Sequence, residues 1–149
     1  MKYEDLAKMT NEEISEACED AADMLEGHWV QGEWFISDFD DETEETEHWA
    51  YCLEGGLSAA LGLETIEGPE DSTRDELISC PVYDAVLETL NQQEFDRKID
   101  SGYYKPDTKF VPSFGEGDLP NWNDNDERTE QEVVDLLRKT AKRVLMEDA

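Results

Sequence analysis

The sequence Asn121-Trp122-Asn123-Asp124-Asn125-Asp126-Glu127-Arg128-Thr129-Glu130-Gln131-Glu132 leads into an apolar-periodic segment, Val133 to Leu145, and is the most informative part of the chain about its fold. Its first half is typical of a polar turn, and its second half predicts the start of a helix. Thr129 is expected to accept a hydrogen bond from the backbone N–H three residues on, while Glu132 accepts one from the N–H of Thr129. Apolar spacing of three and four residues then predicts one buried stripe. The stripe consists of Val133, Leu136, Leu137, Thr140, Ala141, Val144 and Leu145. The bases expected to complement the dipole at the end of this helix are Arg138, Lys139, Lys142 and Arg143.

The first predicted helix runs from Thr10 to Leu25. Thr10 and Glu13 form a second capping box, and Gly27 supplies a left-handed stop. Its inward face is apolar and its outer face is acidic, so the outer face is expected to be solvated.

Helical spacing returns from Glu47 to Leu61, with Gly62 as the stop. Gly55 and Gly56 lie inside this segment, and each costs about 1 kcal/mol relative to alanine in a helix. A close contact with another helix is the expected compensation.

A further helical stretch opens at Thr73, where Glu76 repeats the capping pattern. Pro81 is expected to break or kink it, because proline removes a backbone donor and clashes with the preceding turn. The next helix is predicted to reach Phe95 or Ile99.

Two segments do not follow helical spacing. His28 to Phe39 predicts a short strand or an ordered aromatic loop. The segment from Asp100 to Pro120 is predicted to be irregular but ordered, since flexible linkers rarely contain four aromatic residues. Residues 1–149 are therefore predicted to form one acidic, mainly α domain, a compact bundle of about four to five helices.

The charge is strongly one-sided. Forty acidic residues stand against 12 basic residues, which gives a formal net charge of -28. This exceeds what solubility requires and causes self-repulsion at low salt. Three explanations are open from the sequence: adaptation to high salt, attraction of a basic partner, or drift toward acidity in a fast-evolving genome.

Composition argues against several classes of protein. Hydrophobic residues make up 38% of the chain, which argues against a disordered acidic tail. No apolar run of about 18 residues and no signal-peptide pattern is visible, so no membrane association and a cytoplasmic location, in a host cell if the protein is viral, are predicted. Direct nucleic-acid binding is disfavoured because phosphates require clustered Lys and Arg. Cys18, Cys52 and Cys80 are predicted to be buried free thiols.

The acidic residues are densest between Asp38 and Glu47, where seven of ten residues are acidic. Such a run repels itself and is expected to form a mobile loop unless a partner neutralises it. It lacks the central glycine of an EF-hand loop, so calcium binding is not predicted. The carboxylates predicted to bind a partner are Asp38, Asp40, Asp41, Glu42, Glu44, Glu45 and Glu47.

Aromatic residues near His28 and in the irregular segment allow two interpretations. They either fill the core or form a pocket that stacks on a small ligand or peptide. The residues of that pocket are Trp29, Trp34, Tyr103, Tyr104 and Phe110.

Sequence motifs of known enzyme classes are absent. His28 and His48 are each followed by Trp, and neither has metal-ligand spacing. The chain also lacks a phosphate-binding glycine loop, a nucleophile elbow and a Cys/His signature. The sequence therefore predicts a protein without enzymatic activity, cofactor or metal.

Three stretches together resemble a small domain family of actinobacteria and their phages that has no established activity. They are Gly27-His28-Trp29-Val30-Gln31-Gly32, then Tyr51-Cys52-Leu53-Glu54-Gly55-Gly56-Leu57-Ser58-Ala59-Ala60, and Asn121-Trp122-Asn123-Asp124 with Arg128-Thr129 and Glu132-Val133. The family pattern is similar in order and spacing, although this chain has His28 inserted between Gly27 and Trp29. The resemblance implies a shared fold and a viral or bacterial cytoplasm.

The Trp-Asn-Asp turn is readily explained as structure. Asn123 and Asp124 are expected to hydrogen-bond the backbone, Trp122 to pack between helices, and Arg128 to pair with an acid. The alternative makes Asp124 a base or metal ligand beside one of the two histidines.

Charge favours a binding function. Acids on a folded scaffold imitate the phosphates of a nucleic acid and attract a basic groove. The sequence therefore predicts a phage-type inhibitor that occupies the basic surface of a host nucleic-acid enzyme or defence protein. The alternatives are a ligand- or peptide-binding accessory domain with the aromatic pocket, and a salt-adapted housekeeping protein without mimicry.

Overall fold

The computed structural model describes residues 5–32, 35–40, 45–63, 76–115 and 117–147; for 35–40 and 45–49 it describes the backbone alone. The elements in chain order are a 3-10 turn Leu6–Lys8, α1 (Asn11–Leu25), β1 (Phe35–Asp40), β2 (Glu45–Tyr51), α2 (Leu53–Leu61), α3 (Pro81–Asp100), α4 (Leu119–Asn123) and α5 (Glu130–Glu147). The prediction of a mainly α protein with a short strand after the first helix is confirmed.

Two of the three capping boxes that the sequence predicts lie in the described residues, and both are present. Thr10 Oγ1 accepts from the N–H of Glu13, and Glu13 accepts from the N–H of Thr10, at 3.2 and 3.0 Å. Thr129 and Glu132 make the same reciprocal pair before α5, at 3.2 and 3.1 Å. Each pair satisfies two backbone donors that lack a partner inside the helix.

The core forms where α1 packs against α2 and α5, with α3 closing one side. Burial of these apolar stripes drives the packing, because removing apolar surface from water is the main favourable term in folding. The predicted stripe of α5 is buried except at its end, where Leu145 is 46% exposed. The largest fully buried apolar side chains are Tyr83, Leu25, Leu53, Leu57, Leu61, Leu77, Leu90, Leu119, Leu136 and Leu137.

The bases of α5 do not lie in its last turn, because the helix continues to Glu147. Instead, Arg138 donates to three carboxylates of the α1 segment, at 2.7 to 3.0 Å, and Arg143 donates to the Thr89 hydroxyl of α3. The three acids paired with Arg138 are Glu19, Asp23 and Glu26. On the predicted outer face of α1, Glu19 and Asp23 are therefore ion-paired as well as exposed to solvent.

The second helix starts later than predicted. Residues from Glu47 to Tyr51 belong to β2, and α2 begins at Leu53 with Cys52 as its N-cap. The Cys52 sulfur accepts from the N–H of Gly55 at 3.4 Å. Gly62 adopts a left-handed conformation at the end of α2, as predicted.

The close contact predicted for Gly56 is present. A Cβ atom at this position would lie 3.0 Å from Cγ and Cδ2 of Leu25, which is fully buried in α1. Glycine therefore lets α1 and α2 approach closely, and this packing compensates its low helix propensity.

Pro81 opens α3 rather than kinking a helix, with Cys80 as the N-cap. Proline fits the first turn because the backbone donor that it lacks has no partner there. The helix ends at Asp100, one residue beyond the predicted limit. The capping residue Thr73 lies outside the described ranges.

The acidic segment is a hairpin where it is described, so the prediction of a loop is wrong there. β1 pairs antiparallel with β2, from Phe35 opposite Tyr51 to Asp40 opposite Glu45. Backbone bonds from Tyr51 N–H to His28 O and from Val30 N–H to Tyr51 O fix the end of β2 to the chain after α1.

The irregular segment between α3 and α4 is fixed to α3 by one buried amide. Asn91 Oδ1 accepts from the N–H groups of Ser113 and Phe114, and Nδ2 donates to the Phe114 carbonyl, at 2.7 to 2.9 Å. These bonds make the segment ordered, as predicted. Of the helices within the described ranges, none combines the length and hydropathy that a membrane-spanning segment needs.

Candidate functional site

Four of the predicted partner-binding acids lie in the two strands of the hairpin. Asp38 and Asp40 lie in β1, and Glu45 and Glu47 lie in β2. Asp41, Glu42 and Glu44 lie outside the described residues. We call the segment from Asp38 to Glu47 the acidic ribbon.

The register of the acidic ribbon places one pair of acids opposite each other. Asp40 faces Glu45, and the pairing passes from Asp38 opposite His48 to Phe39 opposite Thr46. Glu47 is therefore the extra residue of a β-bulge. Like charges directly opposite in a sheet are destabilising, so neutralisation by a cation would favour this pairing.

The three stretches that carry the family resemblance meet at the side chain of Asn123. Its Oδ1 accepts from Trp29 Nε1 at 2.7 Å and from the Leu53 N–H at 3.1 Å. Its Nδ2 donates to the Val30 carbonyl at 3.2 Å and to Asp124 Oδ1 at 2.9 Å. Asn123 is 1% exposed; its bond with the Leu53 N–H is buried and the other three are partly buried.

Neighbouring residues extend this cluster. Gln31 Nε2 donates to the Asn123 carbonyl at 2.9 Å and to the Asn125 carbonyl at 2.7 Å. The Gly32 N–H donates to Asp124 Oδ1 at 2.8 Å. Asp124 thus hydrogen-bonds the backbone, as the structural interpretation of the turn predicts.

Trp122 and Arg128 stack on each other at the same turn. The Arg128 Cζ atom lies 3.9 Å from the centre of the Trp122 ring, and Trp122 is 5% exposed. Arg128 Nε also donates to the Trp122 carbonyl at 3.0 Å, and Nη1 pairs with Glu132 at 2.8 Å. The guanidinium is held by cation–π contact, hydrogen bond and ion pair together.

A cleft of about 720 Å³ opens beside this turn. It combines two guanidiniums with carboxylates, amides and two aromatic rings, and its volume falls in the range of small-molecule sites. Arg97 pairs with Glu94 there and holds the pKa of that carboxyl below its usual value, mainly through their hydrogen bond. The lining residues are Gln93, Glu94, Arg97, Ser113, Phe114, Asp118, Asn121, Trp122, Asn125, Glu127, Arg128 and Glu132.

The residues of the predicted aromatic pocket belong to two groups. Trp29 contacts Asn123, whereas Tyr104 and Phe110 pack on the Phe95 ring, with centroids 5.8 and 5.3 Å from it. Tyr103 joins the second group through Tyr104, at 5.2 Å. Trp34 lies outside the described residues. The cleft is lined by a different set of side chains.

The cysteines are free thiols, as predicted, but only Cys18 and Cys80 are buried; Cys52 is partly exposed, so the prediction of burial is wrong for it. Burial raises the pKa of Cys18 to about 12 and that of Cys52 to about 11. It also raises the pKa of Cys80. Thiols held in the protonated form are poor nucleophiles.

Sequence reasoning did not single out Phe95, Arg97 or Lys98 as site residues. Lys98 Nζ lies 5.6 and 5.4 Å from the Tyr103 and Tyr104 ring centres. The available signal was the local charge, because four of the 12 basic residues fall between positions 97 and 109.

Comparison with known proteins places the chain in a family. Residues 9–143 fit the model of a family of unknown function, DUF6197. No curated protein and no solved structure matches the chain. Because the match covers most of the chain and includes all three stretches that meet at Asn123, the protein belongs to the DUF6197 family of unknown function.

Proposed function

We propose that this protein is a non-enzymatic, phage-type protein that binds the basic surface of a host protein, with its carboxylates imitating the phosphates of a nucleic acid. The partner is a nucleic-acid-binding enzyme or a defence protein, and binding inhibits it. The single observation that supports this most strongly is the formal charge of -28 on a chain that folds.

The charge cannot be balanced within the chain. If every one of the 12 basic residues paired with one acid, 28 of the 40 acids would still lack a cation. Arg138 is shared by three acids, so its single charge does not neutralise all of them. A strongly negative surface attracts a basic partner from a distance and raises the association rate.

The acidic ribbon gives this charge a regular scaffold. Consecutive residues of a strand advance by about 3.3 Å, so a hairpin displays charge at repeated intervals. Asp40 opposite Glu45 is a like-charge pair that a cationic partner would stabilise. The ribbon is therefore the proposed centre of the partner-binding surface.

Affinity capture tests the proposal. The immobilised protein is exposed to actinobacterial lysate at low salt and eluted with a rising salt gradient. We expect a basic nucleic-acid-binding protein to be retained and then released, because salt screens the attraction. A variant with Lys in place of Asp40, Asp41, Glu42, Glu44 and Glu45 should lose this protein.

A matched variant controls for net charge. It carries Lys at five exposed acids outside the acidic ribbon, namely Glu76, Asp100, Asp126, Glu127 and Asp135. It should retain most of the binding. Equal loss in both variants, or retention that ignores salt, would reject the ribbon as the binding surface.

The cleft supports a second candidate, a ligand-binding accessory domain. A thermal-shift screen with nucleotides, amino acids and metal ions tests it, because a ligand of the folded state raises the melting temperature. The shift should disappear in Arg97→Ala, whose side chain is 63% exposed at the cleft. No shift across the screen would argue against this candidate.

Adaptation to high salt predicts a different result. The melting temperature would then climb steeply toward molar salt, and no partner would be captured. Retention of a partner at low salt would exclude this explanation.

A further inference from the structure

A group of aromatic and apolar side chains is exposed at the end of α3 and in the segment after it. Tyr103 is 74% exposed, Phe110 is 50% exposed and Val111 is 46% exposed. With Tyr104 and the exposed Lys105 and Lys109 they form what we call the tyrosine patch. Exposed apolar groups that lie together commonly mark interaction sites.

The tyrosine patch is held in place by contacts with α3. The Tyr104 N–H donates to the Lys98 carbonyl at 3.0 Å, and Lys98 Nζ donates to Ser113 Oγ at 3.0 Å. The Phe95 ring supports both Tyr104 and Phe110. A rigid platform of aromatic rings loses little conformational entropy when a partner binds.

The charge of this region is opposite to that of the rest of the protein. Residues 97–111 contain four bases and two acids, a net charge of +2, and one of the bases, Arg97, pairs with Glu94 outside this range. The remaining residues contain eight bases and 38 acids, a net charge of -30. A basic partner of the acidic ribbon would therefore be disfavoured here, and an acidic partner would be favoured.

We infer that the tyrosine patch binds a short acidic segment of a partner protein that also carries aromatic or aliphatic side chains. Carboxylates of the segment pair with Lys105 and Lys109, while its apolar side chains pack on Tyr103 and Phe110. Tyrosine supplies a large contact area with a polar end, which is why it is enriched in binding hot spots.

A short segment fits better than a nucleic acid. A nucleic-acid strand carries a charge on every phosphate, and beyond the patch it would meet the strongly negative remainder of the protein. A peptide confines its charges to the lysines. The protein would then have two binding surfaces of opposite sign, one acidic and one basic.

Fluorescence anisotropy with a labelled peptide tests the inference. The probe is Asp-Glu-Phe-Asp-Asp-Leu-Glu-Phe-Asp, and the comparison probes replace either its acids by Asn and Gln or its apolar residues by Ser. We expect saturable binding of the first probe and at least about tenfold weaker binding of both comparison probes.

Variants locate the binding. Tyr103→Ser with Phe110→Ser, and separately Lys105→Glu with Lys109→Glu, should each weaken binding by about tenfold or more. The matched controls are Leu145→Ser with Met146→Ser, exposed by 46% and 75%, and Lys139→Glu with Lys142→Glu, also exposed. Both controls should bind as the unmodified protein does.

Four results would overturn the inference. They are an absence of saturable binding, equal weakening in the control variants, tighter binding of labelled oligothymidine than of the peptide, and self-association in sedimentation that Tyr103→Ser removes. Circular dichroism of each variant confirms that its helices are intact.

Discussion

Asn123 uses every hydrogen-bonding group of its side chain. The oxygen accepts two bonds and the nitrogen donates two, which is the full capacity of an amide. The four partners come from three parts of the chain that are far apart in sequence. Asn123 therefore fixes the segment that contains Trp29 and Val30, α2 and α4 relative to one another.

The first prediction concerns this residue. Asn123→Ala leaves the Leu53 N–H, which is buried, and the Trp29 indole N–H and Val30 carbonyl, which are partly buried, without their partner. An unsatisfied buried group costs about 1–3 kcal/mol, so we expect a loss of about 2 kcal/mol or more in the free energy of unfolding, measured by urea denaturation.

Asn121→Ala is the control, because Asn121 is exposed two residues away. Its effect should stay within about 0.5 kcal/mol. Similar losses in both variants would show that the Asn123 hydrogen bonds are not the stabilising feature.

The second prediction concerns Cys18. Its folded pKa of about 12 lies above the ordinary value of 9.0, so the thiol stabilises the fold below pH 9 and this contribution is lost as the pH rises from 9 toward 12. By pH 10.5 the loss should be about 2 kcal/mol from this group. The measurement is urea denaturation at pH 8 and pH 10.5 under reducing conditions.

Cys18→Ala should show a smaller difference between the two pH values. For each protein, the change in the free energy of unfolding between pH 8 and pH 10.5 is measured, and these changes are compared rather than the absolute stabilities. Equal changes in the two proteins would contradict the role assigned to burial of this thiol.

At the scale of elements, the sequence located the helices well and the hairpin poorly. Capping boxes and glycine stops are local signals, so the ends of α1 and the start of α5 were predictable. Trp49, Cys52 and Leu53 have helical spacing, which made β2 look like the start of α2. Pairing with β1 is a non-local interaction that spacing cannot reveal.

The candidate site was likewise predictable where its signals are local and not where it depends on non-local contacts. The acidic ribbon is visible in the sequence as a charge run, but its hairpin form is not. The Asn123 cluster joins residues separated by 70 to 94 positions, and only the family resemblance pointed to them as a set. The cleft is made by packing of α3 against the turn before α5, which no single motif encodes.

The third prediction concerns the contact of α1 with α2. Gly56→Ala gains about 1 kcal/mol of helix propensity, but its Cβ would meet the fully buried Leu25 at 3.0 Å. Because overpacking a core typically costs about 1–3 kcal/mol, we expect a net loss of stability in thermal or urea unfolding.

Leu25→Ala provides the coupled variant. In that background the cost of Gly56→Ala should shrink, and a double-mutant cycle measures the difference. Additive effects of the two substitutions would mean that the close approach does not limit this helix pair.

The fourth prediction concerns the contact of α1 with α5. Hydrogen bonds to Glu26 and Asp23 hold the pKa of Arg138 above its usual value. Arg138→Met removes a cation shared by three carboxylates, and we expect a loss of about 1–2 kcal/mol at low salt. The loss should decrease at 1 M salt, because screening weakens both the pairing and the repulsion that replaces it.

Lys139→Met is the matched control, since it removes the same charge from an exposed position one residue away. It should have little effect at either salt concentration. A loss for Arg138→Met that does not change with salt would indicate lost packing instead of lost charge.

For the whole molecule, the net charge is unevenly distributed along the chain. A net charge of +2 lies in residues 97–111, while the other residues together carry -30. An uneven charge distribution orients a protein in the electric field of its partner as the two approach. The acidic ribbon and the tyrosine patch are then expected to select different partners.

The fifth prediction tests the central claim, that the acidic ribbon occupies a nucleic-acid-binding surface through charge. The measurement is the affinity of the purified captured partner between about 50 and 200 mM salt, with and without competing double-stranded DNA. We predict that affinity falls steeply with salt and that DNA displaces the protein. An affinity that stays constant over this range, or a ternary complex in which the partner binds DNA and this protein at the same time, would contradict binding of the acidic ribbon to that surface through charge.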